Sequence, residues 1–275
     1  MKTILLSDNG SRQPNATLQL RHLCQTLSDQ IGQTVHPVSL QHANKIPAEK
    51  LNGQKAWVFS EFMAEKLADG QRDYLLLPLF FGNSKALTKF VPDEKEKLEQ
   101  DYGEFNLDIA QPVYPLPEGN PDLVNIIADN SRQVAGDLHD VVLVDHGSPV
   151  ARVTAVREHV ASLLQNLLGE PFRLTQACME RREGEEYDFN GQLLEDQLSQ
   201  LANNNSPGAV VAMMFFLPGR HAGEGGDIVE ICQSVMEKHP GFKVVITPLI
   251  GDHSDFVSLL KQRYEKVKSS LFVNS

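Results

Sequence analysis

Ile4-Leu5-Leu6-Ser7-Asp8-Asn9-Gly10-Ser11 returns later in the chain as Val142-Leu143-Val144-Asp145-His146-Gly147-Ser148, and this recurrence decides the fold. Each copy is a short apolar run halted abruptly by Asp-X-Gly-Ser, as expected of a buried strand ending in a turn. Further correspondences follow. Leu79-Phe80-Phe81 matches Met214-Phe215-Phe216, and Pro115-Leu116 matches Pro248-Leu249. The separations are 137, 135 and 133 residues, the slow drift of a duplicated unit that has lost a few loop residues. The 275-residue chain thus divides into repeats 1–137 and 138–275, with a junction near Val134–His139 where Gly136 offers a helix stop. Only the second copy of the motif holds a histidine. One active site in a two-lobed cleft is the expectation.

In each repeat, β-rich runs alternate with helical patterns. Expected strands are Thr3–Ser7, Val35–Leu40, Tyr74–Phe80 and Leu107–Val113, then Val141–Val144, Phe172–Ala177, Ala209–Phe216 and Lys243–Pro248. Helices are expected to start near Ala16, Ala48, Leu87 and Pro121, then Ala151, Gln192, Asp227 and Ser254. Ala209-Val210-Val211-Ala212-Met213-Met214-Phe215-Phe216 is apolar on both faces, as a central parallel strand should be. The fold class is α/β: two tandem units, each a four-stranded parallel sheet flanked by helices. Arg181–Asp188 reads as a charge-dense, solvated loop.

Composition narrows the function. With 41% hydrophobic and 22% charged residues the chain resembles a water-soluble globular protein, and cytoplasm is the expected compartment. No stretch approaches the roughly 20 apolar residues that span a bilayer, so no membrane partner is expected. Cys24, Cys178 and Cys232 lack metal-ligand spacing and read as free thiols. A net charge of −11 argues against nucleic acid, whose phosphates demand clustered Lys and Arg.

Ligands of parallel α/β sheets bind beyond the carboxyl ends of the strands. That rule selects His146, Glu180 and His221, which follow the first three strands of the second repeat. Two imidazoles and a carboxylate suit a divalent first-row metal with coordination positions left open. Gly147-Ser148 has an alternative reading as a phosphate-binding turn, weakened by the lack of a longer glycine-rich loop or a nearby lysine. The first repeat is an internal control. Asn9 stands where His146 stands, and the offsets put Ala43 opposite Glu180 and Ala86 opposite His221. All three candidates are lost together while Asp8, Gly10 and Ser11 persist, as expected of residues acting as one unit.

Three segments carry a resemblance to a known family: Val142 to Ser148, Ala177-Cys178-Met179-Glu180, and Phe215-Phe216-Leu217-Pro218-Gly219-Arg220-His221 with Asp227-Ile228. They resemble the sirohydrochlorin chelatases, ATP-independent enzymes that insert a metal into a tetrapyrrole, and the likeness covers essentially the whole chain as the family's two-domain form. It differs in having Asp145 where glycine is common, and Arg181-Arg182-Glu183-Gly184 after the acidic residue. The resemblance implies a chelatase that inserts Co²⁺ or Fe²⁺, with Ni²⁺ as a further option, into sirohydrochlorin on the route to cobalamin or siroheme. It implies His146 and His221 as metal ligands and proton acceptors, Glu180 as the acidic ligand, and no organic cofactor or ATP. Loss of two pyrrole protons suits imidazole, which titrates near pH 6.5 (about its free value). Arg220, Ser148 and Arg181, with Arg182 and Arg152 nearby, are the candidate contacts to the substrate's carboxylates. The tandem arrangement implies a monomer or weak homo-oligomer. A binding or delivery protein for metal or tetrapyrrole, without turnover, is the competing class.

Overall fold

The computed structural model describes residues 2–273, and side chains from 2 to 269. It forms two compact units, one of Met1–Pro115 with Val257–Ser275 and one of Leu116–Phe256. The first contains β1 (Thr3–Ser7), α1 (Pro14–Ile31), β2 (Val35–Ser39), β3 (Trp57–Val58), α2 (Phe59–Ala68), β4 (Asp73–Pro78), α3 (Val91–Tyr102) and β5 (Asn106–Ile109). The second contains α4 (Pro121–Ala135), β6 (Asp140–Asp145), α5 (Ala151–Leu168), β7 (Arg173–Cys178), α6 (Leu194–Asn203), β8 (Gly208–Met213), α7 (Asp227–Lys238) and β9 (Lys243–Ile246). All but the first residue of α8 (Phe256–Val273) belongs to the first unit.

Both sheets are wholly parallel, with orders β3-β2-β1-β4-β5 and β7-β6-β8-β9. The α/β architecture matches expectation, with one addition: the first sheet has a fifth strand, the two-residue edge β3. Trp57-Val58 is too short to show alternation, so periodicity misses it. Both central strands of the second sheet are fully buried, β6 through Asp140–Asp145 and β8 through Gly208–Met213. Helices cover both faces, which explains their unbroken apolar runs. The core around them joins Val142, Val144, Ala177, Leu194, Val211 and Val235.

Several expected strands end early. β5 stops at Ile109 rather than Val113, and β8 at Met213 rather than Phe216. Pro112 has no N–H to extend the ladder. Beyond β8 the carbonyls of Phe215 and Phe216 instead accept from Ile250 and Gly251 of the next loop. Phe216 is buried and stacks on Phe256 at 5.5 Å, and Phe215 packs against the core, so this pair serves the interior.

Matching hydrogen bonds give the true register of the two repeats. Leu79 N donates to Ser7 O as Met214 N does to Val144 O, and Gln41 N donates to Asn9 O as Glu180 N does to His146 O. Gln41, not Ala43, is therefore the counterpart of Glu180. The last segments shift as well. Val113 N donates to Phe80 O as Ile250 N does to Phe215 O, so Pro115-Leu116 and Pro248-Leu249 are not structural counterparts. A Pro-Leu dipeptide in a loop is a weak marker, whereas a strand-end hydrogen bond fixes position.

The compact units also depart from the repeats of sequence. α4 lies in the first repeat, yet it packs on β8, β9 and α5, and Asn130 Nδ2 donates to Pro248 O at 3.3 Å. α8 lies in the second repeat, yet Arg263 donates to Pro78 O and Gln111 O of the first unit. Under the hydrogen-bond register Gln111 is the counterpart of Pro248, so each helix caps the equivalent place in its sheet.

Candidate metal centre

Because β6 lies between β7 and β8, the loops leaving all three rise side by side from one edge of the second sheet. His146 begins the first loop, Glu180 follows β7 by two residues, and His221 lies in the loop between β8 and α7. The structure brings these three side chains together. His146 Nε2 is 3.4 Å from Glu180 Oε1, and the rings of His146 and His221 meet edge to face with centroids 4.6 Å apart. The site is open: the side chains of His146 and Glu180 are 45% and 62% exposed.

The second nitrogen of each imidazole is occupied. His146 Nδ1 lies 3.1 Å from Gly147 O and His221 Nδ1 lies 2.5 Å from Asp227 Oδ2. A carbonyl or carboxylate oxygen can only accept, so each bond places the proton on Nδ1 and leaves a lone pair on Nε2. Metal-binding histidines are commonly oriented in this way. Ligand atoms about 2.1 Å from an ion in tetrahedral array stand about 3.4 Å apart, which is the His146–Glu180 separation. Among the described residues no three His, Cys, Asp or Glu side chains already surround a common point. A shared ion would need side-chain rotation, which such exposed groups permit.

Gly147 locks two of the loops together. Its φ is +87°, and a Cβ there would sit 1.9 Å from the Glu180 carbonyl oxygen. Met179 N donates to Asp145 O and Glu180 N to His146 O, extending the β6–β7 ladder into the site. Beneath lies a buried polar network that the sequence reading missed. Arg157, on the inward face of α5, donates to Asp145 Oδ1 at 2.5 Å, Ala177 O at 3.1 Å and Asn190 O at 2.6 Å. Burial pushes the Asp145 carboxyl up, against the opposing pull of Arg157 and of the Gly147 N–H. Asn190 accepts from Ser148 N at 2.9 Å and Thr154 Oγ1 at 3.1 Å, and donates to Ser148 O at 2.9 Å. The expected solvated loop therefore ends in a buried anchor, since Glu185–Asn190 forms a 3-10 turn with Asn190 fully buried. A single charged residue on the otherwise uncharged inward stripe of α5 was the available signal.

The candidate substrate contacts divide. Arg220 is 76% exposed, with Nε 3.9 Å from Asp227 Oδ2. Arg181 Nη1 is held by Asp188 Oδ1 at 3.0 Å and Gly191 O at 3.1 Å, closing its own loop. Ser148 Oγ accepts from Val150 N at 3.1 Å, just ahead of α5. Arg182 lies over the Tyr187 ring at 5.8 Å.

The CbiX family model matches residues 140–267, from β6 into α8, and takes in all three of these loops. Over this stretch the chain is similar to the CbiX family. Solved chelatases share the fold along nearly the whole chain. SirB from Bacillus subtilis with Fe³⁺ is 15% identical, with 97% of this chain and 95% of that chain covered and a TM-score of 0.68. The sirohydrochlorin chelatase SirB from Bacillus subtilis subspecies spizizenii, in complex with cobalt, gives the same identity and coverage and a TM-score of 0.66. CbiX, described as the terminal enzyme of siroheme biosynthesis in denitrifying bacteria, is 14% identical over 96% of this chain and 99% of that one, with a TM-score of 0.58. No curated protein matches the sequence. The CbiX match falls on the repeat that carries His146, Glu180 and His221. Among the described residues no helix is long and apolar enough to cross a membrane.

Proposed function

We propose that this chain is an ATP-independent cytoplasmic chelatase that inserts Co²⁺ or Fe²⁺ into sirohydrochlorin, with His146, Glu180 and His221 as the working residues. The observation that carries the reading is the meeting of two imidazole rings and a carboxylate beyond the strand ends of the second sheet. The ion is substrate here, so it must be held and then released. Ligands left open on one side suit that task better than a closed cage.

Insertion exchanges one divalent ion for two pyrrole protons. His146 and His221 present the ion to the ring through Nε2 and take up the protons as the metal–nitrogen bonds form. Glu180 balances the charge of the ion before transfer. Asp227 holds the His221 ring with its Nε2 outward and stabilises the imidazolium once a proton arrives. A ring bearing several carboxylates meets a chain of net charge −11, so a local cation must receive it, and Arg220, with its side chain 76% exposed, is a candidate. The donor set does not choose the metal. Intrinsic affinity rises from Fe²⁺ through Co²⁺ to Ni²⁺, which leaves the choice to supply and geometry.

A single-turnover reaction of the protein with sirohydrochlorin and Co²⁺, followed by visible absorbance, tests the proposal. The wild type should convert the ring spectrum to that of the metallated product. His146→Ala and His221→Ala should each abolish conversion while keeping the far-ultraviolet circular dichroism. A ring spectrum that stays unmetallated with wild-type protein would point to a carrier; full activity in either variant would remove the assignment.

A further inference from the structure

α1 and α5 occupy equivalent places, and five inward positions of α1 have buried counterparts on α5 at an offset of 137 residues. Thr17, Leu23, Cys24 and Leu27 on α1 match Thr154, Val160, Ala161 and Leu164 on α5, all buried. At the fifth of these, Leu20 on α1 stands where the charged Arg157 stands on α5, both almost fully buried. The aspartate facing this position is present in both units. Asp145 meets a guanidinium, whereas Asp8 meets Ser39 and the Gly10 N–H and leaves its buried Oδ1 without a partner.

The turn itself does not need the arginine. A Cβ added at Gly10 would sit 1.8 Å from the Gln41 carbonyl oxygen just as one at Gly147 would sit 1.9 Å from that of Glu180, and Leu40 N and Met179 N make matching bonds to Asp8 O and Asp145 O. The backbone of the first unit thus reaches the same form with leucine at this position. Arg157 is present in the unit that keeps His146, Glu180 and His221, and absent in the unit that has lost them. A charged side chain retained in a core where an apolar one suffices calls for a role beyond folding.

We propose that Arg157 is a positioning residue of the metal centre, tying the His146 turn to the loop that bears Glu180. One guanidinium spans the Asp145 carboxylate before His146, the Ala177 carbonyl three residues before Glu180, and the Asn190 carbonyl at the far end of that loop. Asn190 in turn holds both backbone groups of Ser148. The two ligand-bearing segments are thereby pinned from below at the spacing of ligands to one ion. The inference rests on the metal-site reading above.

Arg157→Leu is the direct test, because it reproduces the arrangement that Asp8 and Leu20 already form in the same protein. Co²⁺ affinity and the visible absorption of bound Co²⁺, which reports ligand geometry, are read beside circular dichroism. The expected result is a retained fold, Co²⁺ affinity weaker by about 10-fold or more, an altered spectrum and a matching fall in insertion rate. Arg157→Lys should recover only part of each, since one ammonium cannot make all these bonds. Should Arg157→Leu fail to fold, Asp145→Asn with Arg157→Leu removes the unpaired carboxylate and is read in the same way. Wild-type affinity and spectrum in the folded leucine variants overturn the proposal. If the wild type binds Co²⁺ without inserting it, the chelatase reading fails, while affinity and spectrum still decide the role of Arg157. If it binds no Co²⁺, both fall.

Discussion

Gly147→Ala isolates the coupling between the two ligand loops. The new methyl would stand 1.9 Å from the Glu180 carbonyl oxygen, whereas real Cβ contacts are essentially never below 3.0 Å. Backbone must therefore separate by about 1.1 Å, the same order as the roughly 1 Å misplacement that costs a catalytic site about 100-fold. A positive φ on alanine adds about 1–3 kcal/mol of strain, and overpacking a further 1–3 kcal/mol, so stability should fall by about 2–6 kcal/mol. Gly10→Ala provides the matched control: its φ is +95° and its Cβ would meet the Gln41 carbonyl oxygen at 1.8 Å. Both variants should lose similar stability in urea titrations. Only Gly147→Ala should lose insertion rate, by about 100-fold, when both are assayed well below their unfolding midpoints. Equal rate losses, or a wild-type rate in Gly147→Ala, would refute the argument that this contact sets the ligand spacing.

Asp227→Ala should weaken Co²⁺ binding and slow insertion by about 10- to 100-fold, with Asp227→Asn milder because its carbonyl still accepts from His221 Nδ1; titration with Co²⁺ checks both, and an unaffected alanine variant would exclude an orienting role. Asp8 supplies a prediction about pH. Burial raises its carboxyl above the ordinary 3.8, so its contribution to stability is present below that value and is lost as pH rises through the folded one. Asp8→Asn should remove this slope and be more stable than the wild type at neutral pH. Denaturant midpoints at pH 4 and pH 7 would show it, and a lower midpoint for Asp8→Asn at pH 7 would contradict it.

Much of this was legible in the amino-acid order because parallel sheets advertise themselves. Val141–Val144 and Ala209–Met213 are apolar on both faces, and a strand end followed by Asp-His-Gly-Ser announces a turn that displays its side chains. The same rule placed His146, Glu180 and His221 on three loops, and adjacency of the strands did the rest. Contacts made by inward polar groups were not legible. Arg157 looks like any helix arginine until its stripe is compared with that of α1, and Asn190 sits in a segment whose charge suggests water. Register was partly hidden too. Gln41 and Ala43 differ by two loop residues, a gap that composition cannot place and one backbone hydrogen bond can.

The crossed allegiance of α4 and α8 bears on how such a chain evolves. Each repeat contributes the helix that shields the other's sheet, so neither can be discarded without uncovering an apolar face of its sibling. The first repeat has Asn9 where the second has His146, yet its α4 still packs on β8 and β9. A half without the candidate ligands can thus be indispensable as architecture, and a gene cut midway between the repeats would leave two fragments each missing a wall.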